Sequence, residues 1–152
     1  MHPKIHIFAG IVLITFLHFI FPSLTLFNLS IIFFSSWLID VDHYFYYIAK
    51  EKDFNLTKCY EWHKLHLHET MNLPMNERKK RYTGFYIFHG VEPLIILFLL
   101  GIFVSQFFFF IFIGTFFHMF MDVPHEYYIK RTIQKSSLIY NYIQWKKLEK
   151  MN

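Results

Sequence analysis

The stretch VEPLIILFLLGIFVSQFFFFIFIGTFFHMFM, Val91–Met121, decides the fold. It runs for about 30 residues with Glu92 as its only charge. A helix that crosses a bilayer needs about 20 residues, with about 17 as the practical minimum. The stretch is therefore long for one crossing and short for two full ones. Upstream, Ile7–Phe27 is apolar apart from His18 and Pro22, and is long enough to cross. Leu29–Ile39 is shorter; Leu24–Ile39 is nearly charge-free, and the aromatic Tyr44–Ile48 offers an extension.

The basic residues choose between one crossing and two. Lys4 precedes the first run, and Lys50, Lys52, Lys58, Lys64, Arg78, Lys79, Lys80 and Arg81 separate the second from the third. Lys130, Arg131, Lys135, Lys146, Lys147 and Lys150 follow the third. Neither Phe21–Asn28 nor Gly101–Gln106 carries any. Basic residues are retained on the cytoplasmic side. A hairpin bent near Ser105-Gln106 gives four spans and places all 15 basic residues on that side. A single long helix would separate the tail from the loop. Ser105-Gln106 lacks Pro or Asn-Gly turn chemistry.

The sequence thus predicts an all-α, polytopic membrane protein, a four-helix transmembrane bundle in residues 1–126. Its spans fall at about 6–22, 25–40, 86–104 and 106–122, with a cytoplasmic loop at 49–83 and both termini cytoplasmic. Lys4 and Ile7–Phe21 resemble a signal peptide, but Phe21-Pro22-Ser23 is a poor cleavage site, so the first helix is expected to remain. In the loop, Thr57–Glu69 is expected as a helix capped by Thr57, with a break at Asn72-Leu73-Pro74 and a cap at Asn76. The tail, 127–152, sets Ile129, Ile133, Ile139, Ile143 and Trp145 among basic residues. That pattern suits an amphipathic helix on an anionic leaflet, or one covering the loop.

Composition agrees. Of 152 residues, 55% are hydrophobic, 22% aromatic and 17% charged, with 21 Phe, which is too apolar for a disordered chain. The net charge of +4 sits beside long apolar runs, so a membrane explains it better than nucleic acid. The single cysteine, Cys59, excludes an intrachain disulfide and a Cys-based zinc finger. Ten histidines are the first hint of chemistry.

On the four-span topology, imidazoles and carboxylates gather at the cytoplasmic ends. His6 opens the first span; Asp40, Asp42 and His43 close the second; His89 and Glu92 open the third; His118 and Asp122 close the fourth, before Pro124 ends it. His118 and Asp122 are four apart and share a helix face; Asp40 and His43, and His89 and Glu92 if helical, are three apart. Metal-binding bundles build sites from such acid and His positions on facing helices. Mixed imidazole and carboxylate suit zinc, manganese or iron better than calcium or magnesium. Eight candidates exceed one tetrahedral site, so either two ions bind or some residues orient the ligands. His18 is expected to pack within the bundle, and His2 and His125 to lie at the interface. His63, His66 and His68 read as a solvated loop or as accessory ligand or substrate contacts. Phe107–Phe110 is expected to face lipid. Arg78–Arg81 anchors the loop or attracts an anionic headgroup.

His6, "WLIDVDHYF" (Asp40, Asp42, His43), "FHGVEPL" (His89, Glu92) and "FFHMFMD" (His118, Asp122) together resemble the membrane-bound metal-dependent hydrolase family. Its bacterial members include LexA-regulated inner-membrane proteins; archaeal-type relatives with Phe-His-Ser-x-Glu are closer. The resemblance covers about residues 4–122. Ile39 stands where the family often has Pro, and Gly84 where its His-Arg-Gly-x-Thr-His-Ser motif has the first His. His63 or His66 could replace that ligand.

The expectation is a hydrolase in the inner membrane acting on a lipid headgroup ester or phosphoester through a metal-activated water. Asp40, His43, His89, His118 and Asp122 are the expected ligands. His6 and Asp42 are weaker ligand or orienting candidates, and Glu92 is the expected general base. The alternative is a non-catalytic metal-binding membrane protein. An ion path would want polar groups along a span, where only His18, Thr15, Ser35, Ser36, Ser105 and Gln106 are available.

Overall fold

The computed structural model describes residues 3–82, 84–133 and 137–149, with 148 and 149 described by backbone alone. His2, Lys135 and Lys150 lie outside the described residues. All regular structure among the described residues is helical. The elements are α1 (Pro3–Ile20), α2 (Leu26–Leu38), α3 (Val41–Glu51), α4 (Leu56–Asn72), α5 (Met75–Arg78), α6 (Val91–Phe103), α7 (Gln106–Lys130) and α8 (Leu138–Glu149).

Helix α7 is the centre of the packing. It lies against α2 and α6, and α2 in turn lies against α1. Small residues let the backbones approach. A side chain at Gly114 would collide with the Ile32 carbonyl and the Ser35 hydroxyl of α2. One at Gly10 of α1 would meet Ser36 Oγ, and one at Gly101 of α6 would meet the backbone of Phe109. Close crossings of this kind rest on van der Waals packing between backbones. The hydroxyls that line them are satisfied within their own helix, Ser35 donating to the Ile31 carbonyl at 2.8 Å and Ser36 to that of Phe33 at 2.7 Å.

Two helices, α1 and α7, are long and apolar enough to cross a membrane, with mean hydropathies of 1.8 and 1.7. Helix α6 is apolar but has 13 residues. The outward faces are strongly apolar: Phe19 is 77% exposed, Phe103 79% and Phe120 66%.

The turns follow from local chemistry. Val91–Met121 breaks at Val104-Ser105, and α6 and α7 then fold against each other. The Ser105 hydroxyl accepts from the Phe107 N–H at 3.3 Å, so serine acts there as an N-cap. Thr25 caps α2 by accepting from the Asn28 N–H at 3.2 Å.

Several boundaries differ from those expected. Helix α4 begins one residue before Thr57, and its cap is Asn55, whose side chain accepts from the Thr57 and Lys58 N–H groups at 2.9 and 3.1 Å. Pro74, not Asn76, precedes α5. Pro124 lies inside α7, which continues to Lys130 and ends where Arg131 takes a left-handed conformation, φ 55°. Proline removes one helical hydrogen bond, yet the turns beyond it bury Glu126, Ile129 and Lys130, and that packing outweighs the loss. Helix α6 starts at Val91 rather than near 86, because 84–90 is irregular, with Gly84 at φ +131° and Gly90 extended. His18 is exposed on α1 rather than packed inside.

Helix α8 is pinned to the start of α6. The Glu92 carboxylate accepts from the Ser137 hydroxyl and the Leu138 N–H, and Asn141, buried, donates to the Gly84 carbonyl at 3.2 Å. Its Ile139, Tyr142 and Ile143 remain exposed.

Candidate metal centre

Three features bring the polar residues together. Between α2 and α3 the chain tightens: the Asp40 N–H donates to Trp37, Asp42 to Ile39 and His43 to Asp40, all three residues back. That turn presents Asp40 and Asp42 beneath the end of α2. The irregular 84–90 segment carries His89 inward. Helix α7 supplies His118 and Asp122 from one face.

Asp40, His89, His118 and Asp122 could hold a metal ion, and all but Asp40 are buried. The two Nε2 atoms of His89 and His118 lie 3.1 Å apart. Asp40 Oδ1 is 3.4 Å from His89 Nε2 and 3.5 Å from His118 Nε2. Asp122 Oδ2 is 3.7 and 3.6 Å from the same two atoms. Tetrahedral zinc with bonds of about 2.0–2.1 Å places neighbouring ligand atoms roughly 3.3–3.4 Å apart. The observed separations bracket that value.

The other ring nitrogens fix the protonation. His118 Nδ1 lies 2.9 Å from the Ser36 carbonyl, which can only accept, so Nδ1 carries the proton. His89 Nδ1 donates to Asp42 Oδ2 at 2.9 Å. Both Nε2 atoms then present lone pairs to each other, with no exposure to water. A proton donated from one Nε2 to the other, or a cation held by both, would relieve that contact. A divalent cation also offsets the two carboxylates, whereas a shared proton offsets only one charge.

Asp42 is not one of the four but orients one of them, His89. Besides His89 it accepts from the Phe88 N–H at 3.1 Å and from His43 Nδ1 at 3.0 Å. Burial alone would push its carboxyl up; the bonds from His43 and His89 outweigh this and hold it below the usual carboxylate range. Asp42, His43 and His89 form a second group that could hold a metal ion, as expected of His43 and Asp42, and within it both imidazoles also bond Asp42. His43 thus sits beside the four-residue cluster, 3.5 Å from Asp40 Oδ1, with its ring stacked on buried Tyr86 at 4.0 Å.

His6 is buried against the cluster. Its ring stacks on His118 at 4.0 Å between centroids, and its Nε2 is 3.2 Å from Asp122 Oδ1. Glu92 is elsewhere: its carboxylate caps the N-terminus of α8, and His89, coming from a loop, does not share a helix face with it. Asp40 and Asp122 line a cavity of about 1020 Å³. His43, His63, His66, His125, Arg81 and Trp62 stand on its wall. His63 Nε2 bonds the His43 carbonyl at 3.1 Å, and His66 stacks on Trp62. His68 is exposed and outside the cavity.

The Ser36 carbonyl and Tyr86 were not legible as parts of the site. A backbone acceptor leaves no mark on the sequence, and Tyr86 lies in a segment with no periodicity. Fold and site define an all-helical protein with a buried His/Asp cluster suited to a metal ion. No family model, curated protein or solved structure matches the chain.

Proposed function

We propose that the protein is a metal-dependent hydrolase of a cell membrane, acting on a lipid headgroup ester or phosphoester. One observation carries the reading: two buried imidazole lone pairs 3.1 Å apart, flanked by two carboxylates on the wall of a large cavity. A divalent ion bound there, zinc or else manganese or iron, supplies Lewis acidity toward an ester or phosphoryl oxygen and acidifies water. Asp42 and the Ser36 carbonyl hold the two imidazoles in the ligating tautomer. Asp40, the most exposed of the four, stands where substrate would approach from the cavity.

In this reading α1, α2, α6 and α7 form the transmembrane bundle, with both termini and the 49–83 loop in the cytoplasm. The exposed phenylalanines on the outward faces support it, as does the absence of basic residues from both hairpin turns. The short helices α2 and α6 are accommodated by local thinning of the bilayer. The likeness of the His6, Asp-x-Asp-His, Phe-His and His-x-x-x-Asp sequence pattern to membrane-bound metal-dependent hydrolases supports the same activity.

A second reading is favoured by a different observation. Four protein ligands around one ion make a closed site, which is the structural pattern; catalytic zinc sites keep a position open. The ion would then lock the helices together without turnover.

Both readings meet one experiment. Protein purified in detergent is expected to carry tightly bound divalent metal by elemental analysis, and to hydrolyse generic phosphoesters or headgroup esters in a chelator-sensitive way. Asp40→Asn should abolish turnover. Retained metal with no turnover in the wild type would select the structural reading, and no metal at all would sink both. Reporter fusions at residues 60 and 140 should report the same side of the membrane; opposite sides would exclude four spans.

A further inference from the structure

His6 has a feature that one ion does not explain. It is 1% exposed, and neither ring nitrogen has a hydrogen-bond partner. Its Nε2 approaches Asp122 Oδ1 to 3.2 Å, but not in hydrogen-bonding alignment. A buried imidazole with both nitrogens unpaired forfeits its hydration without return. Packing is a poor reason to keep it, because Leu or Phe would fill the place without that cost.

Asp122 explains the placement. Its Oδ2 is turned toward His89 and His118, while its Oδ1 is turned toward His6. One carboxylate therefore faces two loci with separate oxygens, and the stacked rings of His118 and His6 serve one locus each. We propose that His6 Nε2 and Asp122 Oδ1 hold a second divalent cation, bridged to the first by Asp122. An imidazole and a carboxylate suit zinc, manganese or iron. Asp122 lines the cavity, so water or a substrate oxygen supplies the remaining positions. A pair of ions bridged in this way would stabilise both the attacking and the leaving oxygen of a hydrolytic displacement.

The proposal rests on the first centre, and metal counting separates the two. Full-length protein in detergent is loaded with Mn2+, desalted and analysed for ions per chain. The wild type is expected to hold about two, with an electron paramagnetic resonance spectrum of a coupled pair. His6→Ala is expected to hold about one, with the spectrum of an isolated ion. His6→Gln, which keeps most of the volume, should match it and is decisive if His6→Ala fails to fold. One ion in both wild type and variant would overturn the second position and leave the first standing. Loss of both ions in a folded His6 variant would make His6 part of the first centre and overturn the proposal. No ion in the wild type would overturn both.

Discussion

At the end of the helices where Asp40, His89, His118 and Asp122 meet, polar side chains are deeply buried: His6, Ser36, His89 and His118 are all within 1% of complete burial. At the opposite end, around the turns 21–25 and 104–105, the most exposed side chains are Phe19, Leu26 and Phe103. Both ends depart from the common pattern, in which imidazoles are seldom fully buried and large apolar groups seldom fully exposed. Buried polar groups persist only where each is matched, whereas exposed apolar groups need only an apolar neighbour. One end should be intolerant of small chemical changes and the other tolerant of large ones.

The largest expected break is neither at the ligands nor at the phenylalanines but between them. Gly114→Leu inserts a side chain where α7 touches the Ile32 carbonyl and Ser35 of α2. Overpacking of well-packed contacts costs roughly 1–3 kcal/mol. The expected result is a lower melting temperature in detergent and loss of bound metal, since His118 and Asp122 ride on the displaced helix. A variant that melts and binds metal like the wild type would show that α2 and α7 do not position the centre.

A smaller, more selective effect is expected at Asp42. Asp42→Asn leaves all four ligands in place but weakens the acceptor that orients His89. Loss of such orienting partners costs about 10–100-fold in metal affinity. Competition against a fluorescent chelator checks this; an unchanged affinity would mean that His89 needs no orientation. The smallest effect belongs to the far end. Phe19→Ser and Phe103→Ser are expected to leave metal content unchanged and to shift melting only slightly. A loss of metal in either would erase the contrast between the ends.

The sequence carried much of the site because metal chemistry restricts residue types. Asp40, His89, His118 and Asp122 were readable from the placement of acids and imidazoles at the edges of apolar runs, and they meet in the structure. The break at Ser105 was readable from where basic residues are missing, though the turn itself carries no strong local signal. The reading of Glu92 illustrates the limit. Three residues from His89, Glu92 would share a face with it in a helix, but the extended Gly90 separates the two. Pro124 shows the converse, where burial of Glu126, Ile129 and Lys130 carried the helix past a residue that ordinarily ends one.

By itself, then, the amino-acid order determined the helical class, the apolar runs and the identity of the groups that could ligate, because each is a property of composition and short-range spacing. Only the tertiary structure decided which nitrogen of each histidine faces the cluster, that Asp42 bonds His89 from outside the four while Asp40 stands among them, and that Glu92 caps a distant helix. Those assignments depend on contacts such as His118 with Ser36 and His89 with Asp42, formed between residues 82 and 47 positions apart. No local pattern specifies a partner at that distance; the packing of α2 against α7 sets the first, and the seating of the 84–90 segment against α3 the second.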